Sequence, residues 1–195
     1  FSTNGVSLTP HDTISNGVDP AAMQWKATLR NGSVVLIRPI RETDVELERR
    51  FIEELSPQSM RFRFLGDMKT ASPQLLKQFT HPDPAHEVAF VALLGEGAEQ
   101  REIGVSRYSA RADGLSCECA VAVSDDWHNQ GLATILMQHL IGVARQRGIE
   151  CMYSIDSADN QPMRDLAEHL GFKHKQDPSD STQVLHTLDL KEATT

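Results

Sequence analysis

The sequence is short of cysteine, of tyrosine and of positive charge. Three cysteines in 195 residues are an odd number and supply no disulfide framework. Cys117, Cys119 and Cys151 all lie in apolar, strand-like runs, where a buried small hydrophobe is the plain expectation. Cys117-x-Cys119 lacks a second ligand pair, and the His81-Pro-Asp-Pro-Ala-His86 loop has no recognised ligand spacing, so no metal is expected. Lys and Arg number 19 against 27 Asp and Glu, a formal net charge of −8. Nucleic acid is excluded on that balance, because counterion release needs clustered cations. A phosphate-bearing small molecule is not excluded, since a local nest of amides binds anions on an acidic protein. No apolar run approaches the ~18 residues of a membrane span, and no signal peptide is present. No membrane partner is expected, and a reducing cytoplasm is the expected compartment. The chain opens on Phe1 rather than methionine, as expected of a piece of something longer.

What is present organises around residues 121–137. Cys119 to Val123 is an unbroken small apolar run, which predicts a strand covered on both faces. Asp125 and Asp126 interrupt it. From about Asn129 the apolar spacing turns helical, with Leu132, Leu136, Leu140 and Val143 in line and Ile135 and Met137 widening the stripe. Gly148 ends the helix. A strand that feeds a helix through a short turn leaves amide donors without partners, and these, with the positive end of the helix dipole, attract phosphate. Gly131 has no Cβ, so a ligand can approach the backbone there; Ala133 keeps the next turn lean.

Elsewhere, residues 1 to about 22 are polar, with isolated apolar positions, and predict a flexible tail or linker; the domain occupies 23–195. Trp25–Arg30, Asn31-Gly32 and Ser33–Arg38 predict a hairpin closed by a tight two-residue turn. Thr43-Asp-Val-Glu46 reads as a capping box, and Ser56-Pro57 and Ser72-Pro73 each restart a helix. Strands are predicted at 87–94, 102–110, 115–123, 151–155, 172–175 and 183–190. The first three of these join through glycine turns into an antiparallel meander. Asn160 to Leu170, closed by Gly171, is one more helix.

His128-Asn-Gln-Gly131-Leu-Ala133 resembles the pyrophosphate loop of the GCN5-related N-acetyltransferases, Gln/Arg-x-x-Gly-x-Gly/Ala, with His128 standing where Gln or Arg is usual. Gly104, Arg38-Pro39 with Asp44, and Asn160…Leu170-Gly171-Phe172 extend the resemblance over about residues 33 to 190. The Arg-Pro-Ile-Arg opening and the Glu118 strand are most similar to the Pat-type protein lysine acetyltransferases. The resemblance implies an α/β (α+β) fold: a mixed, mostly antiparallel twisted sheet of about seven strands flanked by helices, with an extra N-terminal hairpin strand. It implies acetyl-CoA as co-substrate. Ala120, Val121, Ala122 and Val123 would pair with pantetheine; Asn129, Gln130, Gly131, Leu132, Ala133 and Thr134, with His128, would surround the diphosphate. Asn160 would cap its helix and touch the pantetheine arm. The implied partner is a protein lysine, with acyl-CoA synthetases as the type of protein that Pat enzymes act on.

Acetyl transfer needs a neutral amine and a positioned thioester. Glu118, alone among the aliphatics of Cys117–Val123, is the expected base, its pKa raised by desolvation. The alternative is a strand-edge glutamate paired with Arg107 or Arg111. The tyrosine that serves many relatives as general acid is Ala167 here; Tyr108 and Tyr153 are out of register with it. Two other functions stay open: acetylation of a small amine, favoured by an acidic mouth built from Glu42, Glu53, Glu54 or Asp67, and a non-catalytic acetyl-CoA sensor. His139, His169, His174 and His186 are expected at or near the surface.

Overall fold

A computed structural model describes residues 22–65 and 70–191. Apart from Ala22, the expected tail lies outside the described residues, as does Asp67. The elements run β1 (Trp25–Thr28), β2 (Val34–Pro39), α1 (Val45–Glu54), α2 (Pro57–Phe64), α3 (Pro73–Thr80), β3 (Glu87–Leu94), β4 (Arg101–Ala110), β5 (Ser116–Val123), α4 (Leu132–Gln146), β6 (Cys151–Ser157), α5 (Gln161–His169), β7 (Lys173–Gln176) and β8 (Gln183–Asp189). The strands form one eight-stranded sheet in the order β1-β2-β3-β4-β5-β6-β8-β7. All neighbours are antiparallel except β5 and β6, which agrees with the expected mixed sheet and its extra hairpin strand.

Side chains alternate across the sheet and divide the core in two. One face, with Val35, Ile37, Phe90, Ile103, Cys117, Cys119 and Met152, packs on α4 and α5. The other, with Ala89, Val91, Leu93 and Val105, packs on Phe51 and Ile52 of α1, Met60 of α2 and Leu76 of α3. In α4 the predicted stripe is buried: Leu132, Leu136, Met137, Leu140 and Val143 are all at most 3% exposed. Each such side chain contributes about 1.5–3 kcal/mol by leaving water, so truncating Leu136 to alanine removes support directly beneath the helix start.

The helix starts follow their capping residues. Ser56, Ser72 and Asn160 accept the N–H of Ser59, Leu75 and Met163 at 3.2, 3.2 and 3.1 Å, each just before proline or within a residue of it. The capping box at Thr43 does not form. Asp44 takes that place: its carboxylate accepts Arg41 N–H at 2.7 Å and both Arg38 amines at 2.7 and 2.8 Å. The bidentate arginine outcompetes a threonine hydroxyl for this corner.

The hairpin also differs from its prediction. Leu29 N–H donates to Ser33 O at 2.8 Å and Gly32 N–H to Leu29 O at 2.9 Å, so the loop has three residues, Arg30-Asn31-Gly32. Only Gly32 takes a positive φ, +86°. The left-handed residue alone corrects the twist, and Asn31 is freed to point its backbone N–H outward.

Candidate active site

The turn between β5 and α4 is built around two left-handed residues, Asn129 (φ 59°) and Gly131 (φ 85°). Asparagine tolerates this conformation through its short polar side chain. Gly131 is the cap residue of α4, and no side chain caps that end. Consequently the N–H groups of Asn129, Gln130, Gly131, Leu132, Ala133 and Thr134 donate to no acceptor among the described residues. Six consecutive open donors at the positive end of a 15-residue helix are an anion cradle.

His128 turns away from this cradle. Its Nε2–H donates to Val123 O at 2.9 Å, so the ring closes the strand end instead of reaching outward as the motif's Gln or Arg would. The Gln130 side chain is also turned away: its Oε1 accepts Asn31 N–H at 3.0 Å. For these two residues of the sequence-based set, backbone remains available and side chain does not.

Next to the cradle the sheet opens. β5 and β6 pair only at Ser116↔Cys151, Cys117↔Met152 and Glu118↔Tyr153; beyond Glu118, β5 stays on β4 as far as Val123, and β6 stays on β8 as far as Ser157. The direction of each free group follows from the ladder. Arg111 N–H donates to Ser116 O at 2.8 Å and Ser124 N–H to Ile103 O at 2.9 Å. Alternation between those two bonds turns the even-numbered residues of β5 toward β4 and the odd ones toward the gap. Ala120 and Ala122, expected to offer amides, therefore give their backbone groups to β4. Val121 faces the gap with both groups and Val123 with its N–H, since His128 occupies the Val123 carbonyl. A thin polar chain laid in the gap would add to β5 as a further strand. Asn160 caps α5 at the outer end of β6.

Glu118 stands where the gap closes. It is exposed, while its neighbours Cys117 and Cys119 are buried. The aliphatic neighbours expected to enclose it do not, because alternation sends those cysteines into the α4 side and Glu118 to the opposite face. Neither arginine offered as its partner pairs with it. Arg107 turns inward, donating to Phe79 O at 3.3 Å with its guanidinium 4.2 Å from the Phe79 ring. Arg111 donates to the Tyr153 hydroxyl at 2.7 Å. Tyr153, set aside on sequence as out of register with α5, lies directly across from Glu118; only the strand register reveals this.

Beneath the α1–α3 face lies a group of buried charges that the sequence did not disclose. The Glu48 and Glu102 residues are 0% and 2% exposed, and none of their carboxylate oxygens has a hydrogen-bond partner. Arg63 approaches Glu48 at 4.0 Å. Burial first, then the charge of Glu48, pushes the Glu102 carboxyl well above its ordinary range; burial and the nearby Arg63 pull Arg107 down to about 10. On the α4–α5 side of the gap, burial raises the Asp156 carboxyl, which accepts the Ser154 hydroxyl at 2.5 Å. His186, expected near the surface, is 2% exposed, since β8 lies inside β7 in the sheet.

The acidic residues proposed for a small-cation mouth are engaged separately. Glu53 pairs with Arg49, Glu42 faces His81 at 3.9 Å, and Glu54 lines a shallow depression with Arg101, Asp125 and Asp126. No helix among the described residues is long and apolar enough to cross a membrane.

Comparison with known proteins agrees with this geometry. Residues 51–172 match the model of the Acetyltransferase (GNAT) family. The chain is 53% identical to acetyltransferase PA5475 of Pseudomonas aeruginosa over 166 residues, 85% of this chain and 89% of that protein. It is similar to the crystal structure of the GNAT domain of S. lividans PAT, with a TM-score of 0.77 and 26% identity over 85% of this chain and 96% of that one. A cAMP-binding acyltransferase from Mycobacterium smegmatis shares the fold, with a TM-score of 0.59 and 22% identity over 87% of this chain and 48% of that one. The open-ended helix, the gap beside it, the family match over most of the chain and a relative identical at half its positions agree: the chain belongs to the GNAT family and is an N-acetyltransferase, and acetyl-CoA is the donor this family uses.

Proposed function

We propose that the protein moves an acetyl group from acetyl-CoA to a protein lysine, with Glu118 as the base. The observation that carries this reading is the end of β5–β6 pairing at Glu118↔Tyr153. A pantetheine arm that enters beside the amides of 129–134 and runs along Val121 and Val123 ends beside an exposed carboxylate. The residues fit the group: the cradle has open donors, and the neighbouring edge has unpaired backbone.

The lysine amine, once neutral, attacks the thioester carbon; the C–N bond forms and the C–S bond breaks. The amine proton passes to Glu118, directly or through the water that reaches this exposed side chain, and the thiolate departs. A thiolate is a weak enough base to leave without a protein acid. That agrees with Ala167 in the position where many relatives carry tyrosine, and Ala167 is buried at 1% exposure. A protein acceptor is supported by the exposure of Glu118 and by the likeness to the PAT domain.

The reading is tested by incubating the purified protein with acetyl-CoA and a cell extract and reading acetylated lysines by mass spectrometry. Protein lysines should gain an acetyl group with the wild type and not with Glu118→Gln, whose acetyl-CoA affinity should be unchanged. Acetylation confined to small amines would reject the protein acceptor. Full turnover by Glu118→Gln would reject the base.

A further inference from the structure

The β1–β2 loop touches the cofactor loop about a hundred residues away. Arg30 N–H donates to Gln130 O at 3.2 Å, the Arg30 guanidinium donates to Asn129 O at 3.1 Å, and Asn31 N–H donates to Gln130 Oε1 at 3.0 Å. The hairpin side of these contacts, Arg30 and Asn31, lies outside the 51–172 segment matched by the family model, and the loop side, Asn129 and Gln130, lies within it. They exist because the hairpin closes as a three-residue loop, which leaves the Arg30 and Asn31 N–H groups facing outward.

Their consequence follows from peptide geometry. In a planar trans peptide the N–H points opposite to the carbonyl of the same unit, and no peptide bond here is cis. The Asn129 and Gln130 carbonyls both point at the hairpin. The N–H groups of Gln130 and Gly131 must then point away from it, on the side where the first amides of α4 are open. Without the hairpin, nothing among the described residues holds these two peptide units in that orientation.

We infer that the β1–β2 hairpin is the template of the cofactor loop, and that Arg30 and Gln130 are positioning residues that aim the Gln130 and Gly131 amides at the diphosphate. The inference rests on the cofactor site proposed above. Arg30 does this from the carbonyl side of the loop, so it acts through Asn129 and does not touch the cofactor.

The test measures acetyl-CoA affinity by calorimetry, kcat at saturation and Tm for Arg30→Ala, Arg30→Lys and Gln130→Ala, with acetyl-pantetheine as a donor lacking the diphosphate. Arg30→Ala should weaken acetyl-CoA binding by about tenfold, the scale of one hydrogen bond from a charged donor. It should leave kcat at saturation and KM for acetyl-pantetheine within about twofold. Arg30→Lys, which retains a donor, should recover most of the affinity, and Gln130→Ala should weaken it several-fold without any change of charge. Unchanged affinity in both alanine variants overturns the template. So does a loss confined to Arg30→Ala, which would make Arg30 a direct partner of the phosphate, or an equal loss for acetyl-pantetheine, which would make the hairpin a general structural support. Failure of the wild type to bind acetyl-CoA would reject the cofactor site itself.

Discussion

Glu118 and Tyr153 face each other across the last rung of the β5–β6 ladder, on the same side of the sheet. The Tyr153 hydroxyl accepts from Arg111, and the charge of Glu118 contributes to holding the Arg111 guanidinium above its ordinary pKa, after the Tyr153 hydrogen bond that dominates. The carboxylate proposed as the base is thus accompanied by a cation fixed through tyrosine. The Arg111 guanidinium fixes the Tyr153 hydroxyl beside Glu118. Arg111→Ala should lower kcat/KM for the acceptor several-fold with the acetyl-CoA Kd unchanged. Tyr153→Phe should do so by less, since Arg111 keeps its charge and loses only its anchor. Values equal to the wild type would separate Arg111 from catalysis.

Glu102 offers a second measurement. Its carboxyl is held above the ordinary value of 4.5 by burial and by Glu48. The native state therefore keeps this proton at pH values where the unfolded chain has lost it. Stability is complete below the unfolded value and falls as pH rises above it, by up to about 1.4 kcal/mol per unit until the native group itself ionises. Gln carries no such penalty. The Tm of Glu102→Gln relative to wild type should rise as pH increases above the ordinary carboxyl value of 4.5. A gap that does not change with pH would mean that Glu102 folds ionised.

These buried carboxylates mark the limit of what the sequence discloses. Where periodicity and local chemistry decide an element, the sequence is sufficient: the α4 stripe, Ser-Pro at two helix starts, Asn160 as a cap, and the strand at Glu87–Leu94. The family motif around Gly131 located the cradle for the same reason, because a left-handed glycine before a helix is a local event. Long-range contacts are different. Glu48, Arg63, Glu102 and Arg107 come from three separate elements, α1, α2 and β4, and each reads alone as an ordinary surface charge. Glu118 reads as buried because its neighbours in the chain are aliphatic; its exposure depends on which face each side chain takes and on which helices cover that face. The Arg30–Asn129 contact spans 99 residues and leaves no trace in either segment.

Asp125 joins the end of β5 to the start of α2. Its carboxylate accepts Ser56 N–H at 2.9 Å, the Ser56 hydroxyl at 2.7 Å and the Ser59 hydroxyl at 2.7 Å. Burial alone would raise this carboxyl, but the hydrogen bonds from Ser56 and Ser59 outweigh it and hold it below its ordinary 3.8. A depressed carboxyl stabilises the fold above the unfolded value, and the contribution disappears as pH falls through the lower native value. Asp125→Ala should cost about 2 kcal/mol at neutral pH, since it leaves the Ser56 N–H and the Ser56 and Ser59 hydroxyls without their acceptor. Thermal unfolding should show that difference shrinking as pH drops below about 3.8. A difference that persists in acid would assign it to packing.

Gly104 tests how closely the start of α4 must sit on the sheet. It lies on β4 opposite Val123, and a Cβ there would meet Leu132 Cδ2 and Leu136 Cδ1 at 3.0 Å each and Ala122 O at 3.4 Å. Both leucines are at most 1% exposed, so neither can swing into solvent; they shift only if the first turn of α4 rises with them. Overpacking of this kind costs about 1–3 kcal/mol. The displaced turn is the one that carries the Leu132, Ala133 and Thr134 amides, so Gly104→Ala should lower Tm and raise the acetyl-CoA Kd together. Gly142, in the middle of the same helix, has nothing within 4 Å of a built Cβ, and Gly142→Ala should stabilise by about 0.5–1 kcal/mol through helix propensity. It lies nearly three turns from the cradle, so the Kd should stay at the wild-type value. If Gly104→Ala lost stability with unaltered affinity, the amides would tolerate movement of the helix, and contact between β4 and α4 would matter to folding alone.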